Sequence, residues 1–186
     1  MVIKKEQGDL FYRLWLPLLK YANYKYHIVK DFAADAPSKG ISPEKASRVA
    51  NRIWEDVSII DEYIELCSNE MSEEEIDIVV GWKNAVRGTF VVDRHLKKGS
   101  ILVAADKKVY LVKGIYSSWR EMLGDLPMPQ MVDATLIPFQ GEIICDGLIH
   151  PYGVCMGKNM ADESKNIYLN AKNRNEIYTC LYSILF

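Results

Sequence analysis

The chain has 186 residues, 49% of them hydrophobic, and its 23 Lys and Arg stand against 25 Asp and Glu for a formal net charge of -2. A chain of this size and composition builds its own core, as one domain or two small ones, without disulfides or metals. So small a net charge sets up no long-range field for nucleic acid or an anionic membrane. No apolar run approaches the roughly 20 residues of a membrane span. Glu6 and Asp9 interrupt the N-terminal stretch before any apolar run, which is not a secretory pattern. Cys67, Cys145, Cys155 and Cys180 lie apart without CxxC spacing, as reduced core thiols do in the cytoplasm. A cytoplasmic protein without a cofactor is expected.

The first half reads as about three helices. Asp9 can cap a segment carrying Leu10, Phe11, Leu14 and Trp15, and Pro17 is expected to kink or restart it. Apolar spacing continues to residue 32, and Pro37, Ser38 and Gly40 predict a turn over residues 35–40. Ser42 and Pro43 form a strong helix start. Ala46, Val49, Ile53, Val57, Ile60 and Ile64 then predict one long apolar face over 42–64. Ser72 and Glu75 have capping-box spacing and open a third helix, which ends before Gly88.

From Gly88 the period changes. Residues 89–93, 100–104 and 108–113 are rich in β-branched and aromatic residues, and Asp106-Lys107 suits a tight turn between the last two. Residues 117–123 suggest a helical turn crossing an open end of the sheet. Pro127 and Pro129 mark a loop before a strand over 133–138, and Gly141 separates that strand from 142–145 as a hairpin. A short helix over 162–172 and a last strand over 177–184 complete the chain. The fold class expected is α+β: a helical region, 1–87, packed on a small antiparallel β-sheet or barrel, 88–186, as one compact unit.

In residues 136–147, Ile137, Pro138, Phe139, Gly141, Ile143, Ile144, Asp146 and Gly147 make a hydrophobic-Pro-Phe-x-Gly-x-Ile-Ile-x-Asp-Gly stretch, and Tyr168, Ala171 and Lys172 make Tyr-x-x-Ala-Lys. With these the chain resembles a family of uncharacterised proteins common in gut Firmicutes. Some relatives of that family continue into a cysteine-rich zinc module of the SEC-C type, which has no counterpart in this sequence. The resemblance implies hairpin geometry and brings no activity with it.

Three arrangements could carry chemistry. Cys145, His150 and Cys155, with Asp146 or Cys180, offer thiolate and imidazole ligands for zinc, although the spacing departs from zinc knuckles. Cys145 and His150 could also pair as nucleophile and base. Against both stands a turn reading of Asp146-Gly147, in which Asp bonds local donors and Gly takes a positive φ. Charge is the third feature. Residues 42–79 carry eleven acidic and three basic side chains, whereas 90–114 carry six basic ones (Arg94, Lys97, Lys98, Lys107, Lys108 and Lys113) and two acidic. Phe90, Tyr110, Tyr116 and Trp119 lie among or beside the basic residues, and small barrels that bind single strands combine a basic groove with stacking aromatics. Arg94, Lys97, Lys98, Lys108, Tyr110 and Trp119 are therefore the candidate binding residues. Tyr12, Trp15, Tyr21, Tyr24 and Tyr26 crowd the first helix as core or as an interface.

No phosphate loop, HExxH, GxSxG or GxGxxG occurs. The expectation is a non-enzymatic module that binds another protein or itself, as in a homodimer. The alternatives are a nucleic-acid-binding barrel using residues 94–113, and a metal- or thiol-dependent enzyme at Cys145, His150 and Cys155. No membrane partner is expected.

Overall fold

The computed structural model describes residues 1–30, 32, 41–154 and 156–181. They form two compact units: Glu6–Lys83, and Met1–Lys5 together with the chain from Asn84 onward. The turn expected over 35–40 lies outside the described residues.

Among the described residues the first unit holds four α-helices, one more than the pattern predicts. Helix α1 (Lys5–Tyr26) runs through Pro17 without restarting. Phe11, Leu14 and Trp15 before the proline and Leu18, Leu19 and Ala22 after it bury as one stripe. Packing along that stripe outweighs the local cost of about 3 kcal/mol for an interior proline. Helices α2 (Pro43–Glu55) and α3 (Ser58–Cys67) replace the single long helix expected from the apolar face. The break is Asp56, at φ -143 and ψ 83. Its carboxylate accepts from the Ser58 N–H at 3.3 Å and the Ser58 hydroxyl at 2.5 Å, ending one helix and holding the start of the next. The apolar period survives the break, which is why the sequence conceals it. The start at Ser42 and Pro43 and the Ser72–Glu75 capping box of α4 (Glu73–Gly81) form as expected.

Aromatic packing dominates this unit. Trp15 stacks on Trp54 with centroids 5.3 Å apart and meets Trp82 edge-on at 5.6 Å, while Phe11 lies 5.6 Å from Trp82. Of the crowded α1 aromatics, Trp15 is thus core, Tyr26 bonds Asp56 beneath Arg52, and Tyr24 is exposed.

The second unit contains β1 (Val86–Leu96), β2 (Gly99–Ala104), β3 (Val109–Val112), α5 (Trp119–Leu123), β4 (Gln130–Phe139), β5 (Glu142–Cys145), β6 (His150–Pro151), α6 (Lys158–Arg174) and β7 (Ile177–Tyr178). Strand order in the sheet is β5-β4-β1-β2-β3-β7, with β6 added to β4. Neighbours are antiparallel except β3 and β7, so the sheet is mixed rather than purely antiparallel. Two predicted turns are present: Lys107 (φ 68) between β2 and β3, and Gln140-Gly141 (φ 46 and 79) between β4 and β5. Both use the positive φ that tight hairpins demand. Helix α6 begins earlier than expected, and of the last strand residues 177–178 pair; residues 182–186 lie outside the described residues.

Strand alternation sorts side chains to two faces. On one face Phe90, Val92, Leu102, Tyr110, Val112, Val132, Leu136 and Ile143 pack with Trp119 and Leu123 of α5. On the other, Ile101, Val103 and Val109 pack against Tyr168 and Ala171 of α6. Among the described residues, no helix is long and apolar enough to cross a membrane.

Candidate functional site

The basic segment is largely neutralised where it sits. The bulge between Val92 and Arg94 turns the Asp93 carboxylate inward, where it accepts from Arg94 Nε at 2.5 Å and from the Ser164 hydroxyl at 2.9 Å. Arg94 also lies over the Tyr168 ring at 4.3 Å. Lys107 pairs with Glu163 at 3.6 Å, Lys108 with Asp106 at 2.8 Å and Lys113 with Glu142 at 2.6 Å. Lys97 and Lys98, at the exposed tip between β1 and β2, are the remaining two. Tyr110 and Trp119, expected to stack on bases, are buried, at 4% and 0% exposure, and both rings belong to the core.

Cys145 and His150 sit in unlike surroundings, the one buried and the other exposed. Cys145 points into the core on β5, and burial, followed by the charge of Asp146, pushes its thiol up to about 12. A thiol held protonated is neither nucleophile nor ready ligand. Asp146 accepts from the Leu148 N–H at 3.0 Å and Gly147 has φ 81, which is the local turn. His150 is exposed on β6, opposite Asp133 in register. Cys155 lies outside the described residues. Among the described residues no three His, Cys, Asp or Glu side chains are grouped to hold a metal ion.

One feature with binding capacity is a groove of about 300 Å³ between the outer face of the sheet and the first half of α6. Strands β1, β2 and β4 supply Val91, Val103 and Met131; Met156, Met160 and Ile167 face them from α6 and the residue before its cap. Thioethers are polarisable and unbranched, so such a lining adapts to apolar guests of varied shape. Tyr152, Val154 and Met160 are large apolar residues with about half their surface exposed, at 51%, 52% and 49%.

Polar groups also border the groove. Thr89, which lines it, faces Asp133 across the β1–β4 pairing and donates to Asp133 Oδ1 at 2.6 Å. The Tyr152 hydroxyl donates to the same carboxylate at 3.2 and 3.1 Å. The Lys107–Glu163 pair lines the groove as well. None of these groove residues follows from the sequence alone. A usable signal was present in β4, where Met131 and Asp133 alternate with the buried Val132 and Ala134, placing a methionine and an acid together on the outer face.

The chain matches no family model, no curated protein and no solved structure. The site therefore rests on its own geometry.

Proposed function

We propose that the chain is a non-enzymatic recognition module and that its groove takes an apolar segment of another protein. The observation that carries this reading is the methionine-lined groove itself: three thioethers, Val91, Val103 and Ile167 line an open cleft at the small end of the ligand-pocket range. Methionine-rich surfaces suit partners that vary in shape.

Strand addition is a weaker route to the same function. Strand β1 is paired by β2 and β4; β2 by β1 and β3; β4 by β1 on one side and by β5 and β6 on the other. Strand β3 is engaged by β7, and the residue after it by β5. Along β1 to β4 little backbone is left for a partner strand to extend.

We also infer that five of the seven strands, β1 to β5, close as a small barrel. The Lys113 N–H donates to the Ile143 carbonyl at 2.9 Å and Lys113 bridges Ile144, which joins β5, one end of the strand order, to the chain leaving β3. Oligonucleotide-binding Greek-key barrels use the outer face of strands two and three. Here Ile101, Val103 and Val109 of that face lie under α6, which favours the protein reading over the nucleic-acid one.

The test is methionine-methyl NMR with short blocked peptides carrying Leu and Phe. Met131, Met156 and Met160 are expected to shift together while Met71, in the helical unit, stays still. No shift at millimolar peptide would overturn the groove as the recognition site. Light scattering covers self-association: a dimer that Met160→Glu dissociates would give the groove to a second copy instead.

A further inference from the structure

Two carboxylates border the groove in unlike settings, and the difference specifies the partner. Glu163, which lines it, meets Lys107 at 3.6 Å, so the charges offset one another. Asp133, bonded to the lining residue Thr89, receives two hydroxyls, from Thr89 and Tyr152. Hydroxyl donors satisfy the lone pairs of a carboxylate but leave its negative charge uncompensated. Among the described residues Asp133 has no ion-pair partner. The basic side chains nearest in the strand pairing are His150, opposite it on β6, and Arg87, two residues along β1 from Thr89; each is engaged in contacts of its own.

Building on the groove reading, we propose that the occupant is a peptide segment with a lysine or arginine next to its apolar anchor, the anchor lying among Met131, Met156 and Met160 and the cation meeting Asp133. The half-exposed Tyr152 ring adds to the attraction, since its hydroxyl is fixed on the carboxylate and an aromatic face attracts cations. Reach is no obstacle. Met131 and Asp133 are two residues apart on one face of β4, about 6–7 Å at the strand repeat. A lysine one or two positions from the anchor spans that interval with its own side chain. The neutralised Lys107–Glu163 pair offers a cation nothing comparable.

The test compares acetylated Lys-Gly-Leu-Phe-Leu amide with versions carrying Gln or Glu at the first position, titrated into the full chain and into Asp133→Asn. The readout is the methyl shifts of Met131, Met156 and Met160. The lysine peptide is expected to bind roughly five- to tenfold more tightly than the glutamine peptide, and the glutamate peptide most weakly. In Asp133→Asn the three affinities converge while the methyl shifts persist; the amide oxygen still accepts from the hydroxyls, and circular dichroism checks the fold. Equal affinities on the unaltered chain would overturn the role of Asp133 and leave the groove standing. A lysine preference that survives Asp133→Asn would also overturn it. Methyl signals unmoved by all three peptides would overturn the groove reading together with this one.

Discussion

The Ser164 hydroxyl on α6 donates to the Asp93 carboxylate on β1 at 2.9 Å, with both side chains buried. This bond spans the interval between helix and sheet directly beside the groove, and Ser164 itself lines the groove. The bulge at Asp93 makes it available: a regular strand would alternate through this point without an extra residue. One irregular residue therefore fixes how far α6 stands from the strands.

Asp93→Ala removes the acceptor for Ser164 and the carboxylate that holds Arg94. A charge-assisted bond to a buried group contributes about 1.5–3 kcal/mol, and a loss in that range is expected in urea unfolding. Asp93→Asn keeps an acceptor oxygen and is expected to lose less.

Cys145 makes the β unit sensitive to alkali. Its folded thiol is raised from 9.0 to about 12, so between those values the unfolded chain releases a proton that the folded chain keeps. Stability therefore falls as pH rises through this window, by about 1.4 kcal/mol per pH unit once the unfolded thiol is ionised. Urea midpoints of the unaltered chain and of Cys145→Ala, compared from pH 8 to 11, isolate this slope. Tyr63, raised from 10.0 to about 12 chiefly by burial, acts with the same sign in the helical unit. The same burial predicts that iodoacetamide leaves Cys145 unmodified until the unit unfolds, as read by mass spectrometry.

Trp119 tests core against surface. It is fully buried where α5 packs on the sheet, so Trp119→Ala is expected to cost about 3–5 kcal/mol, read by thermal unfolding. A ring used for stacking on bases would be dispensable for the fold.

Gly114 has no room for a side chain. A Cβ there would meet the Ser117 carbonyl oxygen at 1.9 Å, and that neighbour is backbone. Gly114→Ala is expected to destabilise by about 1–3 kcal/mol, with loss of hydrogen-exchange protection at Ile3, whose N–H bonds the Gly114 carbonyl.

How much of this was legible depends on how local each determinant is. Ser42, Pro43, Ser72 and Glu75 mark helix starts through bonds spanning three residues, and those starts form. Lys107 and Gln140-Gly141 turn where the sequence places turns. The α2–α3 break escapes because Asp56 interrupts the backbone without interrupting the apolar face. Candidate binding residues fared differently. A lysine or tryptophan among basic residues looks available until its partner, or the helix that covers it, is known. Glu142 for Lys113 and Glu163 for Lys107 come from distant segments. The groove is less legible still, since Thr89, Met131 and Met160 meet only when β1, β4 and α6 assemble.

The parallel bridge of Val2 to Gly114, with Ile3 donating to Gly114 at 3.0 Å and Gly114 to Met1 at 3.2 Å, places residues 1–5 in the β unit. The helical unit is thus an insertion within the β unit, and no single cut separates the two. A fragment starting at Asn84 would carry every named strand yet leave Gly114 bare. Residues 1–5 supplied as a separate peptide would then act as the missing half of a split protein, and the fragment's gain in melting temperature on adding it would measure what that short pairing contributes.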